Sequence, residues 1–180
     1  VVRGRVLPAL PFTEDFEKFK PSEVDPVETG LLYAYPPLSW IGARFKFDVR
    51  EVEGNKVLAK TLDNIFFQRA TVFFGHPSEK NYTFEADVMT DGNRRTMSTV
   101  GVINQRYYII LNGNAQEIEV NSNQERIKAT KPFKIRPHVW YHLKTRVDIK
   151  SDGSGVVRAK AWPRDQKKPA AWTIETPHQQ

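Results

Sequence analysis

The chain has 180 residues, 39% of them hydrophobic and 12% aromatic, which is enough apolar material for one folded core. It contains no cysteine, which excludes disulfides, thiolate metal sites and cysteine nucleophiles. The formal charge is +6, but 21 acidic residues are mixed with the 27 basic ones, which is typical of a solvated surface and argues against a nucleic-acid site. The sequence contains no run of about 18 apolar residues, which is the length that a transmembrane helix needs, so we expect no membrane insertion.

The first forty residues are the least regular part of the sequence. Residues 20–30 have the composition of a loop, and the prolines at 36–37 keep their neighbourhood extended. The opening VVRGRVLPALPF has neither a methionine nor the apolar core of a signal peptide, so we expect a fragment of a longer protein. We predict a single domain over 1–180, with an irregular N-terminal segment and first strand at 1–40 and a sandwich at 41–176.

Beyond this segment, apolar and polar side chains alternate with a period of two, as in half-buried β-strands. In 43–49 the alternation places Phe45 on the buried face and Asp48 on the exposed face, and a turn at 52–55 predicts a hairpin. Residues 69–75 are predicted to form the next strand.

The rest of the chain keeps the same pattern. Further strands are predicted at 82–90, 98–105, 106–113, 116–122, 140–150 and 156–162. The strand at 106–113 is apolar on both faces, which is typical of a central strand, and the turn SDGSG joins the last two strands into a hairpin. Since no segment has a helical period, we predict an all-β fold, a two-sheet antiparallel sandwich.

The hairpin at 140–162 is the candidate ligand-binding surface. Parity places two sets of side chains on one face of the two strands, Trp140, His142, Lys144 and Arg146 on the first and Arg158, Lys160 and Trp162 on the second. Asn104, Arg106 and Tyr108 are expected to extend this surface. Indoles stack on the apolar faces of sugars, whereas amides and charged groups bind hydroxyls. The alternative is that Trp162 and Trp172 only pack across their turn, under lysine and arginine stems.

Four stretches carry a resemblance to a known family. They are FTEDFE at 12–17, NYTFEADVMTDG at 81–92, VGVINQRYYIILNG at 100–113, and the segment 140–175 with its RAKAWP and PAAW motifs. Together they resemble the concanavalin A-like lectin/glucanase jelly roll, also called laminin-G-like. Residues 54–95 are similar to the C-terminal module of planctomycete-type pyrroloquinoline-quinone-like β-propeller proteins. The resemblance covers 12–176.

The resemblance implies a jelly-roll sandwich that is periplasmic or extracellular and adjoins a β-propeller domain in its parent protein. Members of the family continue past the PAAW motif into a last strand, which we expect this chain to lack. Many hold a structural Ca²⁺ between the first and last strands. Asp15 and Glu17 match the acidic position of that first strand and would form a partial calcium site. The alternative is that these charges protect a strand edge from aggregation.

The resemblance also raises the question of catalysis. Glucanases of this fold carry an E-x-D-x-x-E strand, whose alternation places the carboxylates on one face. Glu85 and Asp87 match its first two positions, but Thr90 occupies the third, so no catalytic residue is assigned. We expect a non-catalytic accessory module that binds a glycan or a cell-envelope polymer. The alternatives are a glycan-active hydrolase of the same fold and a structural protein–protein interaction module.

Overall fold

The computed structural model describes residues 7–61, 69–93 and 95–178. These residues form no helix, and their strands make up three four-stranded antiparallel sheets, which confirms the predicted all-β class. Nowhere in the described ranges is there a helix of the length and hydropathy needed to cross a membrane. The chain divides into two compact units, Val1–Pro77 and Ser78–Gln180, whereas we predicted one domain with an irregular N-terminal segment at 1–40.

Sheet I lies in the first unit and follows chain order. Its strands are β1 (Glu23–Val24), β2 (Leu32–Ala34), β3 (Phe47–Val52) and β4 (Asn55–Lys60). The predicted hairpin is confirmed in β3 and β4. Its two turn residues, Glu53 and Gly54, both have positive φ (53° and 79°), which is the backbone twist that suits a two-residue hairpin.

Aromatic packing supports the first unit. Trp40 stacks on Phe74, with ring centroids 4.3 Å apart, and meets the edge of Phe16 at 5.6 Å. Two sequence predictions are wrong here. Phe45 is 65% exposed, because it lies in a turn that precedes β3 rather than in the strand. The described residues at 69–75 form no strand and contribute one isolated bridge, between Phe73 and Ile41.

A buried ion cluster lies on sheet I. Asp48, predicted to be exposed, is only 2% exposed, and it accepts two hydrogen bonds from the Arg50 guanidinium, at 2.7 and 2.6 Å. Arg50 also donates to Glu28 at 2.7 Å and lies 3.8 Å from Asp25. Hydrogen bonds from the amides of Glu28 and Val27 lower the pKa of Asp25, and the Arg50 charge acts in the same direction. Alternation alone fails at Asp48 because paired charges cover this face of the strand.

The second unit contains two sheets that form a sandwich. Sheet II has the order β12–β11–β10–β5, from strands Ile174–His178, Gly155–Pro163, Trp140–Ile149 and Thr83–Met89. Sheet III has the order β6–β7–β8–β9, from strands Thr99–Asn104, Tyr107–Asn112, Glu117–Ser122 and Ile127–Pro132. The β5–β6 and β9–β10 connections cross between the two sheets.

The core of the sandwich confirms the predicted strand faces. It is formed by the inward side chains of both sheets, including Tyr107, Ile109, Leu111, Ile118, Val120, Tyr141, Leu143, Val147 and Val157. Strand β9 was not predicted from the sequence. Where the resemblance led us to expect a missing last strand, residues 174–178 form β12 at the edge of sheet II and pair with β11.

Candidate functional site

The outward-facing side of sheet II holds most of the residues that the sequence predicted to bind a ligand. Its rows follow from the register of three strands: Asp87, His142 and Trp162 lie side by side, then Glu85, Lys144 and Lys160, then Thr83, Arg146 and Arg158. Trp140 lies at the end of β10, two residues from His142 on the same face. The structure therefore brings seven predicted residues together and adds β5 to them. We call this surface the outer face.

Two rows of the outer face place like charges opposite each other. Lys144 faces Lys160 and Arg146 faces Arg158, an arrangement that is destabilising unless anions lie beside it. Acids from neighbouring positions do so. Arg158 pairs with Asp148 and Glu175, at 2.8 and 2.9 Å, and Arg146 pairs with Asp148 at 2.8 Å, while Lys144 pairs with Glu85.

A histidine joins the two carboxylates of β5. His142 lies 2.8 Å from Asp87 through Nδ1 and 3.0 Å from Glu85 through Nε2. The Lys144 ammonium, and after it His142, lower the pKa of Glu85. A glycosidase needs one carboxylic acid whose pKa is raised, so that it can protonate the leaving group. Glu85 is shifted in the opposite direction, which argues against that role.

The three tryptophans on or beside the outer face are Trp140, Trp162 and Trp172, and each ring lies beside an arginine, histidine or lysine side chain. Arg164 lies over Trp140, 5.6 Å from the ring centroid, and also contacts Asp87 at 3.4 Å. The His142 ring lies 4.7 Å from that of Trp162. Trp140 and Trp162 are half-buried, so each indole keeps an accessible portion.

Lys160 is committed to the fold rather than to a ligand. It is only 4% exposed, and its ammonium donates to the carbonyls of Pro169 and Ala170 at 2.6 and 3.3 Å. It also lies 5.0 Å from the centroid of the Trp172 ring. Burial, followed by the charges of Lys168 and Lys144, lowers its pKa. The loop between β11 and β12 therefore covers Lys160, and the Trp172 ring packs against the Lys160 ammonium.

The predicted extension of the surface does not join it. Tyr108 lies on β7 and Arg106 in the turn before it, so both belong to sheet III, on the other side of the sandwich. Arg106 is paired with Glu125 at 2.7 Å. Asn104 is fully buried, and its amide lies 3.4 Å from the Tyr82 carbonyl.

Asp15 and Glu17, the residues predicted to form a partial calcium site, make contacts within the first unit. Asp15 accepts a hydrogen bond from the amide of Glu17 at 3.1 Å. Glu17 accepts one from the amide of Lys56 at 3.0 Å, and the Lys56 ammonium donates to its carbonyl at 2.8 Å. The Glu17 carboxylate also lies 3.9 Å from the Lys56 ammonium. Within the part of the chain that the structure describes, no three histidine, aspartate or glutamate side chains are grouped to hold a metal ion.

Sequence reasoning missed Arg164 and the proximity of β5 to the hairpin. The alternation of 82–90 did signal that Glu85 and Asp87 are outward-facing. No local pattern signals that they lie beside His142, because more than fifty residues separate the two strands.

Comparison with known proteins adds no assignment. No protein-family model, no curated protein and no solved structure matches the chain. The chemistry of the site is therefore argued from its geometry.

Proposed function

We propose that this chain is a non-catalytic binding module whose outer face holds a carbohydrate or another polyhydroxylated polymer of the cell envelope. The observation that supports the proposal is the pair of half-buried indoles, Trp140 and Trp162, on one face with Asp87, His142 and Arg164. Indole faces accept the C–H side of a sugar ring, while carboxylate and guanidinium groups bind its hydroxyls. Ligand recognition commonly combines such apolar surface with a few fixed polar groups.

The polar groups of the outer face are already held in place. Asp87 is fixed by His142 at 2.8 Å and contacts Arg164 at 3.4 Å. Groups that are positioned before binding lose less conformational freedom when a ligand arrives. Binding at the outer face would therefore cost less conformational entropy than binding to mobile side chains.

The hydrolase alternative has less support. Glu85 and Asp87 do share one exposed face, as a pair of catalytic carboxylates would. However, Lys144 lowers the pKa of Glu85, and His142 contacts both carboxylates. The binding interpretation needs no proton transfer and is compatible with these contacts.

We also propose that the module belongs to a larger exported protein of the concanavalin A-like type and adjoins a propeller domain there. The exposed apolar side chains of the first unit are compatible with a neighbouring domain. Among the described residues, nine large hydrophobic side chains between positions 10 and 73 are exposed, whereas none between 78 and 178 is. Where exposed apolar side chains form a contiguous patch, they mark interaction sites.

The binding proposal is tested on a glycan array and by co-sedimentation with insoluble cell-envelope polysaccharides. Trp140→Ala and Trp162→Ala should each lower the affinity about tenfold, since loss of an aromatic contact costs on the order of 1–2 kcal/mol. Tyr108→Ala is the matched control, because Tyr108 is half-buried on the outside of the opposite sheet. Binding that survives in the Trp140→Ala protein, or that is lost equally in the Tyr108→Ala protein, would contradict the assigned surface.

A further inference from the structure

The first unit contains a small recess that the outer face does not involve. It is lined by Tyr35, Pro36, Pro37, Trp40 and Arg44, together with Leu38 and Gly42, and has a volume of about 140 Å³. Pockets that enclose a whole drug-sized ligand measure about 300–1,000 Å³. The recess therefore accepts one ring rather than an oligomer, and a longer ligand would extend from it into solvent.

Arg44 is the charged group of this recess. Its guanidinium lies 4.6 Å from the centroid of the Tyr35 ring and 5.2 Å from that of Phe45. In the described ranges no carboxylate lies within ion-pair distance of Arg44, whereas Arg50, Arg106 and Arg158 are all paired. Stacking on aromatic rings uses the flat face of a guanidinium and leaves its in-plane N–H donors available for a carboxylate.

The backbone beside Arg44 holds an aromatic ring outward at a conformational cost. Phe45 has φ of 68° and is 65% exposed. A bulky residue in the left-handed region costs about 1–3 kcal/mol, so the surrounding structure must hold it there. Here the conformation keeps the Phe45 ring within cation–π distance of Arg44.

The charge of the first unit restricts the kind of anion. Residues 1–77 contain ten basic and ten acidic residues, so the formal charge of +6 falls on 78–180. A nucleic-acid strand depends on many basic residues to neutralise its phosphates. One stacked arginine in a neutral unit suits a ligand with one carboxylate on each ring instead.

Three of the seven residues that line the recess offer no backbone donor to a ligand. The amide of Trp40 donates to the Pro37 carbonyl, and Pro36 and Pro37 have no N–H. A peptide C-terminus is typically held by free backbone amides. A sugar ring does not need them, because its C–H face packs on proline and aromatic walls.

We propose that this recess binds one uronic-acid ring of an acidic polysaccharide. The carboxylate pairs with the Arg44 guanidinium, and the C–H face of the ring packs against Tyr35 and Pro37. The site is independent of the outer face, since it involves none of the same residues. It adds a carboxylate preference that the outer face does not supply.

The test is calorimetric titration of the full chain at low salt with a galacturonic-acid trisaccharide and with its methyl ester, which has the same ring but no charge. The acid should bind about tenfold more tightly than the ester, as expected for one charge-assisted contact. Arg44→Gln should reduce binding of the acid to the level of the ester, and Arg44→Lys, which keeps the charge but not the fork of donors, should give an intermediate value.

Arg136→Gln is the matched control, because Arg136 is an exposed arginine of the second unit and the change removes the same charge. Trp140→Ala should leave the preference for the acid over the ester unchanged, because that preference depends on Arg44 and not on the outer face. Equal binding of acid and ester, an Arg44→Gln protein that binds like the parent, or no binding of the trisaccharide would each overturn the proposal. So would a single-stranded oligonucleotide that binds in an Arg44-dependent manner while the trisaccharide does not. Thermal unfolding of the Arg44→Gln protein confirms that the fold is retained.

Discussion

Replacement of Arg50 by methionine should destabilise sheet I more than any single exposed-charge substitution in this protein. Methionine retains much of the side-chain volume but removes the only cation that contacts Asp48, Glu28 and Asp25 in the described part of the chain. The Asp48 and Asp25 side chains are 3% and 6% exposed, so water cannot replace the guanidinium there. Removing one partner of a buried ion pair leaves the remaining charge desolvated and unpaired.

The magnitude follows from the contacts. Arg50 makes two hydrogen bonds to the buried carboxylate of Asp48 and one to Glu28, whose side chain is 34% exposed and regains water. Counting only the two buried charge-assisted bonds, at about 1.5–3 kcal/mol each, gives about 3–6 kcal/mol. This agrees with the roughly 3–5 kcal/mol measured when buried pairs are broken.

Urea unfolding followed by circular dichroism, with hydrogen exchange of the β3 amides, measures the loss. Arg158→Met is the matched control, because Arg158 also pairs with two carboxylates but is 30% exposed, and we expect about 0–1 kcal/mol from it. If the two substitutions cost the same, or if Arg50→Met costs less than about 1 kcal/mol, the buried cluster does not stabilise the first unit as argued.

Three further predictions follow from the second unit. A Cβ at Gly101 would lie 2.1 Å from a backbone carbonyl of β7, so Gly101→Ala should lower the urea unfolding free energy by about 1–3 kcal/mol or more, and an unchanged value would refute the close approach. Lys160→Met should speed tryptic cleavage in the loop between β11 and β12, because the ammonium no longer holds its carbonyls; cleavage at the parent rate would contradict this role. Lys144→Met should raise the pKa of Glu85 toward 4.5 in a carbon-13 NMR titration. Because the folded-state pKa is lowered, the stability from Glu85 is present above about pH 4.5 and lost as pH falls through the lowered value, and this loss should shrink in Lys144→Met.

The strands of the second unit could be predicted because their side chains follow one simple rule. In β10, inward residues such as Tyr141 and Leu143 are buried, while outward residues such as His142 and Lys144 are not. Both faces of that strand have a uniform environment, so the period of two is preserved in the sequence. Strand β9 was not predicted because it is an edge strand with few apolar residues. Four of its six residues, Lys128, Thr130, Lys131 and Pro132, are exposed.

The first unit could not be predicted in the same way, because two of its features oppose the pattern. Asp48 is buried in an ion cluster, in which its partner Arg50 also contacts Asp25 and Glu28 from a distant part of the chain. Phe45 is apolar and was predicted to face inward, but a turn with positive φ directs it to solvent. Neither a long-range ion pair nor a left-handed residue leaves a signal in local alternation.

The sequence alone determined the all-β class, the hairpins and the outward faces of β5, β10 and β11, because these depend on residues close together in the chain. Only the tertiary structure decided which outward faces meet. Pairing of β5 with β10 placed Glu85 and Asp87 against His142, while the assignment of Arg106 and Tyr108 to sheet III removed them from that surface. Strand pairing joins residues more than fifty positions apart, and the free energy that selects one pairing comes from the packed core as a whole rather than from any segment.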